Sequence, residues 1–180
     1  MTSPTPRDQE EYRALRATIR ERGTARVWVF VAGVVAWAAL TIATTAVAST
    51  PVATLVPLLV LAAAFEGVYA LHIGVERIGR YLQVFHEHQA PETAAWERTA
   101  MAFGRPKGGA TLDALFTIPF GLAVMFNLTP ALIVDPPPTT QELVFVVGAH
   151  AIFLLRVVAA RHIASRQRAV DLARFTELKR

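Results

Sequence analysis

Residues 27–48, VWVFVAGVVAWAALTIATTAVA, contain no charged side chain. A helix of that length crosses the ~30 Å hydrocarbon core of a bilayer, which takes ~20 residues. Three more stretches repeat the pattern with small departures: 52–74 carries Glu66 and His72, 115–134 carries no charge, and 143–160 carries His150 and Arg156. Of the 180 residues 18% are charged and 53% are apolar, against about 25% and 45–50% in ordinary globular domains. A soluble domain spreads its charges along every surface element, whereas here long blocks exclude them. The pattern predicts an all-α membrane protein, a four-transmembrane-helix bundle. Pro57, Pro119 and Pro130 fall inside the second and third spans and predict local kinks.

The basic residues orient the bundle. Arg7, Arg13, Arg16, Arg20, Arg22 and Arg26 precede the first span; Arg77, Arg80, Arg98, Arg105 and Lys107 lie between the second and third; Arg161, Arg166, Arg168, Arg174, Lys179 and Arg180 follow the fourth. The connections 49–51 and 135–142 have none. Positive segments stay on the cytoplasmic side, so both termini and the loop 75–112 are expected inside, in a multi-pass protein of the inner (cytoplasmic) membrane. Lys occurs only at 107 and 179, and Ala and Val abound, which points to a GC-rich bacterial source. The polar first 26 residues predict no removable signal peptide.

The segments outside the spans read as short helical extensions. Within 1–26, Tyr12, Leu15 and Ile19 recur at helical spacing, an amphipathic helix that either lies on anionic lipid or docks on the other cytoplasmic parts. The second span continues without a breaker to Pro91, and a short helix follows with Trp96, Ala100 and Phe103 on one face. Residues 104–109, GRPKGG, form a flexible link. The tail 161–180 extends the fourth span as a basic helix with Ile163, Val170 and Leu178 scattered along it.

Few residues are left to carry chemistry. Glu66 must face protein or water if it crosses the membrane ionised. Beside it, Ala63, Gly67, Ala70 and Gly74 make a stripe of small residues that lets another helix approach, so Glu66 is expected at a helix–helix interface. At ~1.5 Å per residue, Glu66 lies roughly 21 Å from the outer end of its span and Arg156 roughly 20 Å from the outer end of its own. Matched depth and opposite sign predict a Glu66–Arg156 pair. The pair has two readings: it sets the register of two helices, or it moves protons, ions or substrate. Otherwise Arg156 reaches to the inner interface while Glu66 is protonated or bonded elsewhere. His150, Asn127, Thr41, Thr44 and Thr45 are expected to form a hydrogen-bonded polar layer. Near the inner interface, His72, Glu76 and Arg80 step by four and read as a surface salt-bridge ladder, with a pH sensor as the sharper reading.

In FHEH, residues 85–88, His86 and His88 diverge by about 200° on a helix and do not share one ion. No metal or cofactor is expected. The chain has no cysteine, which removes disulfides, thiolate sites and Cys nucleophiles. Nothing resembles a Ser-His-Asp set, a phosphate loop or a dinucleotide fingerprint, and no nucleic-acid motif accompanies the arginines. The expected function is non-enzymatic: a membrane subunit or adaptor whose basic cytoplasmic surface meets a protein partner or anionic lipid. The alternative is a small proton- or ion-coupled transporter or channel subunit using Glu66, Arg156 and His150. An enzyme acting on lipid would have only His72, Glu76 and His86 to draw on. Ala32, Ala36, Ala39 and Ala43 give the first span a small-residue stripe of its own, which predicts a homo-oligomer.

Overall fold

A computed structural model describes residues 5–86 and 113–180, with side chains from residue 117 onward in the second stretch. The described chain is helical throughout: α1 is Pro6–Val47, a short 3-10 turn follows at Pro51–Thr54, α2 is Leu55–Phe85, α3 is Asp113–Ile133 and α4 is Thr140–Leu178. The expected helix around Trp96 and the link 104–109 lie outside the described residues, as does His88.

Local chemistry sets the helix ends. Thr5 and Asp8 close a reciprocal cap at the start of α1: the Asp8 N–H donates to Thr5 Oγ1 (3.2 Å) and the Thr5 N–H donates to Asp8 Oδ2 (3.0 Å). Thr139 and Glu142 repeat the device at the start of α4, with the Thr139 N–H donating to Glu142 Oε2 at 2.9 Å. Pro51 cannot continue α1, and the run of three prolines after Asp135 cannot continue α3. Pro57 falls in the first turn of α2, where its missing N–H would have had no helical partner. Helix α3 runs through both Pro119 and Pro130.

Three helical stretches are long and apolar enough to cross a membrane: Pro6–Val47, Pro51–Phe85 and Thr140–Leu178. The apolar described part of α3, Thr117–Ile133, is shorter. Helix α1 differs from the expectation of a separate N-terminal helix. It is one uninterrupted element of 42 residues. To lie flat on a leaflet, residues 7–22 need a break near Gly23, and there is none. A single glycine in a helix interior costs only about 1 kcal/mol, too little to end a helix extended on both sides.

Two compact units divide the chain. One comprises Val27–Tyr69 and Leu112–Arg161. Its core is apolar and partly aromatic: Leu61 and Phe120 are fully enclosed, and Phe65 meets both Phe120 and Phe153 edge-on at 5.2 and 5.8 Å. Helices α1 and α2 approach closely here, because a Cβ built on Gly33 would overlap the Ala64 side chain and one on Gly67 would meet Val29 Cγ1 at 3.1 Å. The other unit comprises Met1–Arg26, Ala70–Thr111 and His162–Arg180. It is held by rings and charges. Tyr81 stacks on Phe85 at 4.7 Å and meets Phe175 edge-on at 5.7 Å, and the Tyr81 hydroxyl donates to Glu11 Oε1 at 2.8 Å.

Candidate functional site

Within the apolar unit, Arg156 Nη2 on α4 donates to Glu66 Oε2 on α2 at 2.8 Å. The guanidinium also stands over the rings of Tyr69 (5.0 Å) and Phe65 (5.9 Å). Glu66 bridges α2 and α4 at the rim of their contact and is not enclosed between helices: its side chain is 48% exposed and that of Arg156 is 36% exposed. The small-residue stripe explains the difference. Gly67 is the member packed against α1, while Ala63 and Ala70 are exposed. Contact falls on the glycine edge of the stripe, and Glu66, about 100° around the helix from Gly67, is left on the open side.

Asn127 is completely buried and organises the polar layer. Its Oδ1 accepts from Trp37 Nε1 at 3.0 Å; the Thr41 hydroxyl is 3.4 Å away and donates its proton to the Trp37 carbonyl at 2.8 Å. Its Nδ2 donates to the Thr54 carbonyl and to His150 Nε2, both at 2.9 Å. His150 Nδ1 lies 2.8 Å from the Val146 carbonyl, an acceptor only, so the ring proton sits on Nδ1 and the Nε2 lone pair receives Asn127. Both ring nitrogens are thereby used. Thr44 and Thr45 do not join this layer, because their hydroxyls donate back to the carbonyls of Leu40 and Thr41. Trp37 and Thr54 were not singled out by the sequence, although Trp37 is one of two long indole donors in the first span and the one nearer its middle. Close by, Thr44, Thr45, Ser49, Thr50, Thr54 and Asp135 contribute to the lining of a partly open cavity of about 280 Å³.

In the second unit the expected surface ladder is not on the surface. Arg80 is 1% exposed. Its Nη1 donates to Asp171 Oδ2 on α4 at 2.7 Å and its Nη2 to Glu76 Oε2 at 3.1 Å. Glu76 also accepts from Arg168 Nη2 at 3.1 Å, and Asp171 Oδ1 accepts from Gln167 Nε2 at 2.8 Å. Arg77 Nε stands 3.6 Å from Asp171. Burial alone would raise the Asp171 carboxyl, but the hydrogen bonds from Gln167 and Arg80 and the charges of Arg77 and Arg80 outweigh it and hold it below the ordinary carboxylate range. His72 is not a rung of this ladder; its Nδ1 accepts from Arg26 Nη1 at 3.0 Å. Beside it, a Cβ on Gly74 would meet Arg22 Nη1 at 2.6 Å. His86 is buried between the rings of Tyr12 and Tyr81, each 5.8 Å away. Asp171 is the residue that sequence reasoning missed. The tail 161–180 holds only two acids, Asp171 and Glu177, and a buried arginine on α2 needed one of them.

No protein family, curated protein or solved structure matches this chain.

Proposed function

We propose that the chain is a non-enzymatic subunit or adaptor of a bacterial inner membrane, crossing it four times with both ends and the loop 75–112 in the cytoplasm. The observation that carries this reading is the far end of α4. One side of that segment is tied down through Asp171 and Arg168 to Arg80 and Glu76. Ile163, Val170 and Leu178 on the same segment are 51–66% exposed, and Arg166 and Arg174, also exposed, alternate with them. A fixed helix that presents apolar side chains among arginines suits an acidic, amphipathic protein segment, with apolar contact giving affinity and charge giving selectivity. Transport has less support: both nitrogens of His150 and both ends of the Asn127 amide are committed to fixed partners.

The experiment exploits the absence of cysteine. In intact cells an impermeant maleimide is expected to label Ser49→Cys and Pro137→Cys, and to label Thr24→Cys and Ser165→Cys only after permeabilisation. The opposite pattern overturns the orientation. A photo-crosslinker placed at Ile163 or Val170 is expected to give a discrete adduct that disappears in Arg166→Glu/Arg174→Glu. Failure to form the adduct, together with a proton or ion flux in reconstituted vesicles abolished by Glu66→Gln, replaces the adaptor by the transporter.

A further inference from the structure

We propose that a second copy of this chain covers the face of α2 and α4 that carries Glu66 and Arg156, so that two ion pairs close into one ring of four alternating charges. The inference rests on the membrane reading above and concerns a different face from the partner surface at the end of α4.

The pair is in the wrong surroundings for an exposed salt bridge. Around it Val56, Leu59, Ile152 and Leu155 are all half exposed or more, so the open surface on either side is hydrocarbon-like. In water a pair at 2.8 Å with both partners a third to a half exposed would be unremarkable. In a bilayer such charges face protein or a water-filled space, because lipid offers them nothing. The Glu66–Arg156 bond satisfies one carboxylate oxygen, and the rest of the carboxylate still faces outward.

The occupant follows from two independent features. First, the exposed positions of α2 between Leu55 and Ala70 are Val56, Leu59, Ala63, Glu66 and Ala70, at steps of three, four, three and four. That is the seam spacing of helices that pack at about +20° in membranes and coiled coils. Helix α2 therefore carries a second packing seam beyond the one filled by α1, with the small residues Ala63 and Ala70 one turn to either side of Glu66 to admit a close neighbour. Second, the charges are self-complementary. A two-fold axis beside the pair sets Glu66 of each copy against Arg156 of the other, an isologous contact that needs no second gene product. A single polar position in an otherwise apolar seam also fixes the register of the two copies.

The test uses Ala63→Cys and Ala70→Cys in native membranes, with Leu122→Cys, on the exposed side of α3, as the control. Homodimer crosslinks are expected at 63 and 70 and at most about a tenth of that yield at 122, a ratio equivalent to ~1.4 kcal/mol. Two differently tagged chains then carry Glu66→Arg and Arg156→Glu. Each alone is expected to lose the crosslink, and the two expressed together are expected to regain it as a heterodimer. Glu66→Gln/Arg156→Gln, which creates no like charges, guards against misfolding and is expected to lose register, spreading the crosslink over neighbouring positions. Equal yield at the control position, or monomer only with the chain retained in alkali-extracted membranes, overturns the proposal and assigns the face to another protein or to water. Recovery of the chain in the soluble fraction overturns the membrane reading and this one with it.

Discussion

Removal of Asp171 should destabilise the protein more than removal of Arg80, although the two share one hydrogen bond. Five charged groups meet there: Arg77, Arg80 and Arg168 against Glu76 and Asp171. Asp171→Asn keeps the shape and the contact with Gln167 but leaves three arginines facing one carboxylate, with Arg80 almost wholly buried. Arg80 then shares Glu76 with Arg168 and loses its closer partner, and removing one partner of a buried ion pair costs about 3–5 kcal/mol. Arg80→Met leaves two arginines and two carboxylates, with Glu76 still bonded to Arg168, and Asp171 to Gln167 with Arg77 beside it. Its expected cost is lower, about 1–3 kcal/mol for one strong hydrogen-bonded partner lost. The double variant should be less damaging than the sum of the two by about 1–3 kcal/mol, the coupling of groups in one network. Equilibrium unfolding in mixed micelles followed by far-UV circular dichroism gives the totals. Amide exchange across 76–84 and 167–175 shows whether the loss is local to the charge network. The reasoning fails if Arg80→Met proves the costlier change, or if the two effects simply add.

Acid should act through the same carboxylate. A folded value held below the ordinary range contributes stability in full above the unfolded value of about 3.9 and loses it as pH falls through the folded value. Protection of the 167–175 amides should therefore be flat from neutral pH to about 5 and fall below 4, and Asp171→Asn should flatten that acid limb. Asn127→Leu should cost roughly 1–3 kcal/mol, because it strands the half-buried Trp37 indole and the buried Thr54 carbonyl; an unchanged melting transition would refute it. Gly33→Ala should destabilise by about 1–3 kcal/mol through overlap with Ala64, and Ala64→Gly in the same chain should recover part of it. Gly148→Ala, with no neighbour within 4 Å, should instead stabilise α4 by about 0.5–1 kcal/mol. Thermal unfolding of the two alanine variants, measured side by side, checks both signs.

The lengths of the apolar blocks and the breakers between them made the helical architecture legible, because period and composition act over twenty residues at a time. Which edge of a helix meets its neighbour was not legible. The stripe from Ala63 to Gly74 faces α1 through its glycines, and only the three-dimensional packing decided that Glu66 stands on the far side. The charge ladder was misjudged for a related reason. Steps of four placed His72, Glu76 and Arg80 on one helix face but carried no information about a second helix that covers it. Glu66 and Arg156 are separated by 90 residues, a distance that matched depth alone had implied. The contacts Arg80–Asp171 and Glu76–Arg168 have separations of 91 and 92. Both of these contacts lie within one unit, where a buried arginine on α2 needs an acid on α4 and the tail 161–180 offers only Asp171 and Glu177.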